Sequence, residues 1–257
     1  MGCQSPAPPP KPTLAADAPE AREGPVEAIR RDMISIGLEG DLESAPGLAT
    51  YLRLLWRWNR TYNLTGAKSE THLHALHLVD CLAAVPALRR TYTAELPNHV
   101  LDVGSGAGLP GVILAILHPA WQVDCIDAVG KKAAFIRQAA GQLNLSNLSS
   151  IHGRVESNRP PSNHGYDLII SRAFSSLGDL VDLTRPLLKS NGLWVAMKGK
   201  TPSEEIAALP GDVLVRKIIQ IQVPGSLADR CLVVIAKQNR KLEESEGKHM
   251  TAKANRT

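Results

Sequence analysis

The chain has 257 residues, 44% of them hydrophobic and 21% charged, a globular composition with enough apolar side chain for one main core. A formal net charge of +4 is only mildly basic, compatible with a polyanionic partner and equally with an ordinary soluble enzyme. The four cysteines, Cys3, Cys81, Cys125 and Cys231, include no C-x-x-C pair, which argues against a zinc site or a disulfide framework and for a reduced, cytoplasmic compartment.

The opening MGCQSPAPPP lacks the apolar core of a signal peptide, and Pro6 breaks the myristoylation pattern that Gly2 begins. The longest apolar run, Val112 to Leu117, is far too short to cross a bilayer, so no membrane association is expected. Residues 1–25, rich in Pro and Ala, and residues 238–257, polar and charged, are expected to be disordered tails. Residues 26–95 form a small helical lobe in this reading. Val26, Ile29, Met33 and Ile36 recur at helical spacing up to Gly37, and Leu48, Tyr51, Leu52, Leu55 and Trp58 resume the period after Pro46. A third helix is predicted from His72 to Leu88.

From residue 96 to 237 short apolar strands alternate with helical segments. HVLDV, QVDCID, LSSIH, YDLIIS and GLWVAMK are the first five strands, with helices from about Leu109, from Lys131 to Leu143, and from the fourth strand through Leu188. VLVRKIIQIQV and RCLVVIAK close the chain as an antiparallel hairpin. The predicted fold is therefore α/β: a mostly parallel seven-stranded, Rossmann-like sheet with helices on both faces and the helical lobe in front.

The first strand ends in LDVGSGAGLPG, where two fingerprints overlap. Gly104, Gly106 and Gly108 after Asp102 suit an S-adenosylmethionine turn, and Gly106, Gly108 and Gly111 suit a dinucleotide turn. Glycines let the backbone approach either ligand closely, and Pro110 fits the first turn of the following helix. Asp102 favours the first ligand: a carboxylate there would attract a sulfonium and an ammonium and repel a diphosphate. Asp127, ending the second strand, suits ribose hydroxyls in both cases. The open alternatives are a NAD-dependent oxidoreductase and a non-enzymatic RNA-binding assembly factor.

The fourth strand ends in Ser171-Arg172-Ala173-Phe174, with neither the carboxamide loop used to methylate an exocyclic amine nor a cysteine near for attack on a pyrimidine carbon. That leaves an acceptor with a free lone pair, such as N7 of guanine, for which positioning suffices. Arg172 is the first candidate to hold the base or a flanking phosphate. Arg154 and Glu156 after the third strand, and Lys198 at the end of the fifth, face the same crevice in this reading. The backbone at Val155 and Glu156 would border an adenine. His72, His74 and His77 are not spaced to share one helical face, so no metal site is expected.

NRTYNLTG, LHLVDCL, LDVGSGAGLPGV, IDAVGKKAAFIRQ, GRVE, DLIISRAFSSL and AMKGK, in this order, resemble the bacterial 16S ribosomal RNA small-subunit methyltransferase G family, also called glucose-inhibited division protein B, over roughly residues 30–237. The resemblance implies a class I methyltransferase that carries a methyl group from S-adenosylmethionine to N7 of a guanine in the 530 loop of 16S rRNA. It implies as partner the rRNA or the 30S subunit, met by a monomer. By motif, Gly104, Leu109, Val155, Glu156 and Arg172 border the cofactor and Asp127 is the ribose acid. Asn63, His77, Asp80, Arg154 and Lys198 match polar positions lining the site. Where many relatives have Arg-His, this chain has Leu76-His77, so the resemblance implies one fewer phosphate or base contact from that loop.

Overall fold

The computed structural model describes residues 23–92, 97–160 and 165–238, so nearly all of the two expected tails lies outside the described residues. Helix α1 (Pro25–Ser35) starts on a proline, whose missing N–H costs nothing in a first turn, and buries Ile29 and Met33. After a 3-10 turn (Glu39–Ser44), α2 (Ala45–Tyr62) buries Leu48, Tyr51, Leu52 and Leu55. The third predicted helix is a composite: α3 (Glu70–Leu73), capped by the Ser69 hydroxyl, a π-helical segment (His74–Val79), then α4 (Asp80–Arg89). Among the described residues this rod is the one segment long and apolar enough to cross a membrane, and most of it is buried within the protein.

Seven strands form one sheet in the order β3-β2-β1-β4-β5-β7-β6. They are β1 (His99–Val103), β2 (Gln122–Asp127), β3 (Leu148–His152), β4 (Tyr166–Arg172), β5 (Leu188–Lys198), β6 (Val213–Ile221) and β7 (Arg230–Lys237). The first five are parallel, and β7 inserts antiparallel between β5 and β6. The expected class I architecture is thus present. The connecting helices are α5 (Gly111–Leu117), α6 (Gly130–Gln142), α7 (Leu177–Thr184) and the short α8 (Ser203–Ala207), which the periodicity did not reveal.

Two boundaries differ from the sequence reading. The helix after β4 ends at Thr184 and passes through a 3-10 turn, and β5 begins at Leu188 rather than at Gly192. Pro186 has no N–H to continue an α-helix. The surplus residues of β5 are absorbed by an irregularity between Tyr166 and Leu168 on β4.

Alternate residues of each strand enter opposite cores. Val100, Leu168, Ile170, Val195 and Val234 meet α1, α2, α4, α5 and α6, while Leu101, Ile169, Trp194, Val233 and Ile235 meet α7. The N-terminal helices therefore share one continuous core with the sheet. Strand order reverses at β1, which has β2 on one side and β4 on the other, and ligands bind at such a switch point outside the carboxyl ends of the strands.

Candidate active site

Gly104, Gly106 and Gly108 all have left-handed φ values, 65°, 60° and 85°, which a glycine adopts without penalty. The turn holds itself by its own amides. Gly104 and Ser105 donate to the Ile126 carbonyl, Gly108 and Leu109 to that of Ser105, and Val112 to that of Gly108. Gly106 donates to Asp127 Oδ2 at 2.9 Å and Gly111 to Asp102 Oδ2 at 2.8 Å. Pro110 has no N–H, which leaves Ala107 as the one amide of the turn outside this network. A diphosphate binds through free amides at a helix start, and here the first two, those of Gly111 and Val112, are already engaged by Asp102 and Gly108.

Asp102 corrects the sequence reading. It is fully buried beneath the turn and lines neither cavity of the site, so its carboxylate does not face a sulfonium. It anchors α5 through Gly111, and its Oδ1 has no partner among the described residues. Burial pushes its carboxyl up from 3.8 to about 7, against the opposing pull of the Gly111 N–H. Gly108 is corrected as well. It lines neither cavity, and a Cβ there would meet Val112 Cγ2 at 2.3 Å, so this glycine serves helix packing.

Two cavities meet at Gly104. The first, about 240 Å³, has apolar walls of Val103, Ile126, Val155, Phe174 and Leu183, with Asp127, Arg154 and Glu156 also lining it. Asp127 Oδ1 accepts from the Val129 amide at 2.8 Å and Oδ2 from Gly106, so each oxygen keeps a lone pair for a further donor. An apolar slot with a carboxylate at its edge fits a nucleoside: a base between the walls, a ribose diol at Asp127.

The second cavity, about 570 Å³, is lined by Leu64, Thr65, Leu76, His77, Asp80, Gly104, Gly106, Leu109, Lys132, Arg172, Lys198 and Arg230, among others. Arg172 Nη2 donates to His77 Nδ1 at 3.1 Å, and its Nη1 lies 3.5 Å from Asp80 Oδ2. Arg230 Nε donates to Asp80 Oδ1 at 2.6 Å. Because a guanidinium can only donate, His77 accepts at Nδ1. Burial, and then the Arg172 charge, lower the His77 pKa to about 4, so the ring is neutral near pH 7. Ala173 has a left-handed φ of 66°, and this bend sends Arg172 into the second cavity and Phe174 into the first.

The remaining candidates divide. Lys198 lines the second cavity, with its Nζ 3.1 and 2.9 Å from the two Glu205 oxygens, a pairing that neutralises it locally. Arg154 lines the first cavity, so it does not join Arg172 and Lys198 on one face. Asn63 is exposed, lines neither cavity and ends α2 in the left-handed conformation at φ 48°. Asn59 does the local work instead. Its buried amide donates to the Ala67 carbonyl and accepts from the Thr65 N–H, which folds Leu64 and Thr65 into the cavity wall. His74 pairs with Asp32 at 2.7 Å and His77 with Arg172, so these two histidines serve separate partners. Lys132 and Arg230 escaped the sequence reading. Lys132 sits 3.7 Å from Asp127, and Arg230 is 150 residues from Asp80 with no local signal linking them.

The family model described as rRNA small subunit methyltransferase G matches residues 45–234. The chain is 46% identical over 213 residues to the Ribosomal RNA small subunit methyltransferase G of Acidovorax ebreus, covering 80% of this chain and 92% of that one. It is 45% identical over 207 residues to the protein of that name from Bordetella petrii, covering 80% of each. With the one from Leptothrix cholodnii it shares 48% over 189 residues, 74% of this chain and 85% of the other. A matched span that takes in the glycine turn, both cavities and six and a half strands of the sheet leaves one reading of the lineage: the chain belongs to the rRNA small subunit methyltransferase G family.

Proposed function

We propose that this S-adenosylmethionine-dependent rRNA methyltransferase places its methyl group on N7 of a guanine in the 530 loop of 16S rRNA. In this proposal it works as a cytoplasmic monomer, without a metal ion, on the rRNA or the 30S subunit. The helices of residues 26–95 buttress a catalytic unit of residues 96–237. S-adenosylmethionine supplies an electrophilic methyl group on a sulfonium. Asp127 accepts from the ribose hydroxyls, and Val155, Ile126 and Phe174 enclose the adenine. Glu156 and Arg154 stand at the outer edge of that slot.

One observation carries the choice of acceptor. Among the residues lining the second cavity the sole carboxylate is Asp80, and it is held between Arg172 and Arg230. His77, neutral and accepting from Arg172, is also a poor base. A nucleophile that had to lose a proton would find no ready acceptor, whereas guanine N7 attacks with a lone pair it already has. In this reading Arg172, which lines the same cavity, donates to O6 beside N7 and holds the base in line.

Incubation of 30S subunits with methyl-labelled S-adenosylmethionine tests this reading. Label should appear in 16S rRNA at a guanine that cleaves after borohydride and aniline treatment, as 7-methylguanine does. Unlabelled rRNA, or label on an exocyclic nitrogen, would overturn it.

A further inference from the structure

Arg53, Arg57 and Arg60 follow one another along α2 at spacings of four and three, so their side chains share one face and spread over about 10 Å of the helix axis. All three are exposed, and α2 contains no Asp or Glu. Like charges at these spacings weaken a helix. Elsewhere among the described residues six arginines are paired, among them Arg31 with Glu23, Arg89 with Asp41, Arg185 with Asp212, and Arg172 and Arg230 with Asp80, while Arg90, Arg137, Arg154, Arg159 and Arg216 are not; none of these five forms a row along one helix face. The three on α2 make no ion pair with a described residue; Arg53 donates only to the Thr50 hydroxyl.

The row leads to the active site. Lys131 Nζ donates to the Tyr62 carbonyl at 2.7 Å at the end of α2, and its neighbour Lys132 lines the second cavity. Aromatic faces stand among the cations: Trp58 and Tyr62 form a tilted pair 5.1 Å between centroids, and Tyr62 is 47% exposed.

We propose that this ridge, Arg53, Arg57 and Arg60 continued by Lys131, is the docking surface for the sugar–phosphate backbone of the RNA strand that flanks the target base. Tyr62 offers a stacking face to an unpaired base of that strand. The proposal rests on the rRNA methyltransferase reading and adds to it the path by which the strand leaves the cavity. A net charge of only +4 cannot grip a polyanion by itself, so the attraction must come from local, uncompensated charge. Unpaired arginines next to an exposed aromatic are the combination that holds a single strand without reading its sequence.

The test compares wild type with the triple variant Arg53→Gln, Arg57→Gln, Arg60→Gln. Binding to protein-free 16S rRNA is measured across a salt series, together with KM and kcat on the methylation substrate and S-adenosylhomocysteine affinity. Each lost single-strand phosphate contact lowers the slope of log K against log salt by about 0.7, so the triple variant should lose about 2. KM should rise with kcat little changed, and S-adenosylhomocysteine affinity should stay the same, which also reports an intact fold. The variant with Lys at all three positions should recover the slope. An unchanged slope and KM would overturn the ridge while leaving the methyltransferase reading intact, and wild type that neither binds nor methylates rRNA would overturn both. A defect seen only with 30S subunits would mean that the ridge meets a ribosomal protein, and the RNA proposal would fall.

Discussion

Asp102 and Asp127 lie at neighbouring strand tips and do different work. Asp127 reaches the cavity wall, while Asp102 is sealed under the turn and holds the start of α5. The difference shows in the pH dependence of stability. The folded-state pKa of Asp102 is raised from 3.8 to about 7, chiefly by burial, so the unfolded chain releases this proton first as pH rises. Its contribution to stability is full below about pH 4 and is lost as pH rises through 7. His77 and His118 run the other way. Burial first, then Arg172 or Arg89, lowers each from 6.5 to about 4, so their contribution is present above 6.5 and lost as pH falls through 4. Asp102→Asn removes only the first effect. Chemical denaturation at several pH values should show the variant gaining stability relative to wild type between about pH 4 and 7, with no further gain above. A constant offset at all pH values would mean that Asp102 does not titrate in this range.

The element that most constrains the site is the junction from β1 to α5. Gly111 lies outside the left-handed region, yet a Cβ there would stand 2.3 Å from Cys125 Sγ and 2.8 Å from Asp102 Oδ2. Helix α5 can approach β2 this closely only without a side chain at that point. Gly111→Ala should therefore destabilise the protein by about 1–3 kcal/mol, the usual cost of overpacking. Adding Cys125→Ala should return part of that loss in a double-mutant comparison of melting temperature, and independent, additive effects would show that the contact is not the cause. At this scale periodicity located every strand and most helices. It did not reveal the π-helical segment that presents His77, because the pattern of apolar residues runs through it unbroken. Nor did it reveal α8, whose five residues bury no side chain and leave no periodic trace.

Across the whole molecule, the N-terminal helix α2 braces the glycine turn. The buried Tyr51 hydroxyl on α2 donates to the Ala107 carbonyl at 2.7 Å, so a helix some fifty residues upstream pins the glycine turn. Phe135 of α6 packs against both Tyr51 and Trp58, tying α2 to the helix that carries Lys131 and Lys132. A turn so braced, with most of its amides engaged internally, should discriminate between cofactors in the intact protein. S-adenosylhomocysteine at a hundredfold excess over its Kd should stabilise the fold by about 2.7 kcal/mol, and NAD at the same concentration should leave the thermal unfolding curve in place. Stabilisation by NAD alone would overturn the account of the turn.

The sequence by itself determined the layered α/β sheet, the placement of the glycine turn and Asp127 at strand tips, and the family to which those motifs point. These depend on strand and helix periods and on glycine's freedom at positive φ, which act over a few residues. Only the tertiary structure decided which charges meet. Arg230 reaches Asp80 across 150 residues, Lys198 is neutralised by Glu205, Arg154 falls in the other cavity, and Asp102 turns inward. The physical reason is that the worth of a charge depends on its burial and its partners. Both are set by packing between elements distant in the chain, and no local pattern records them.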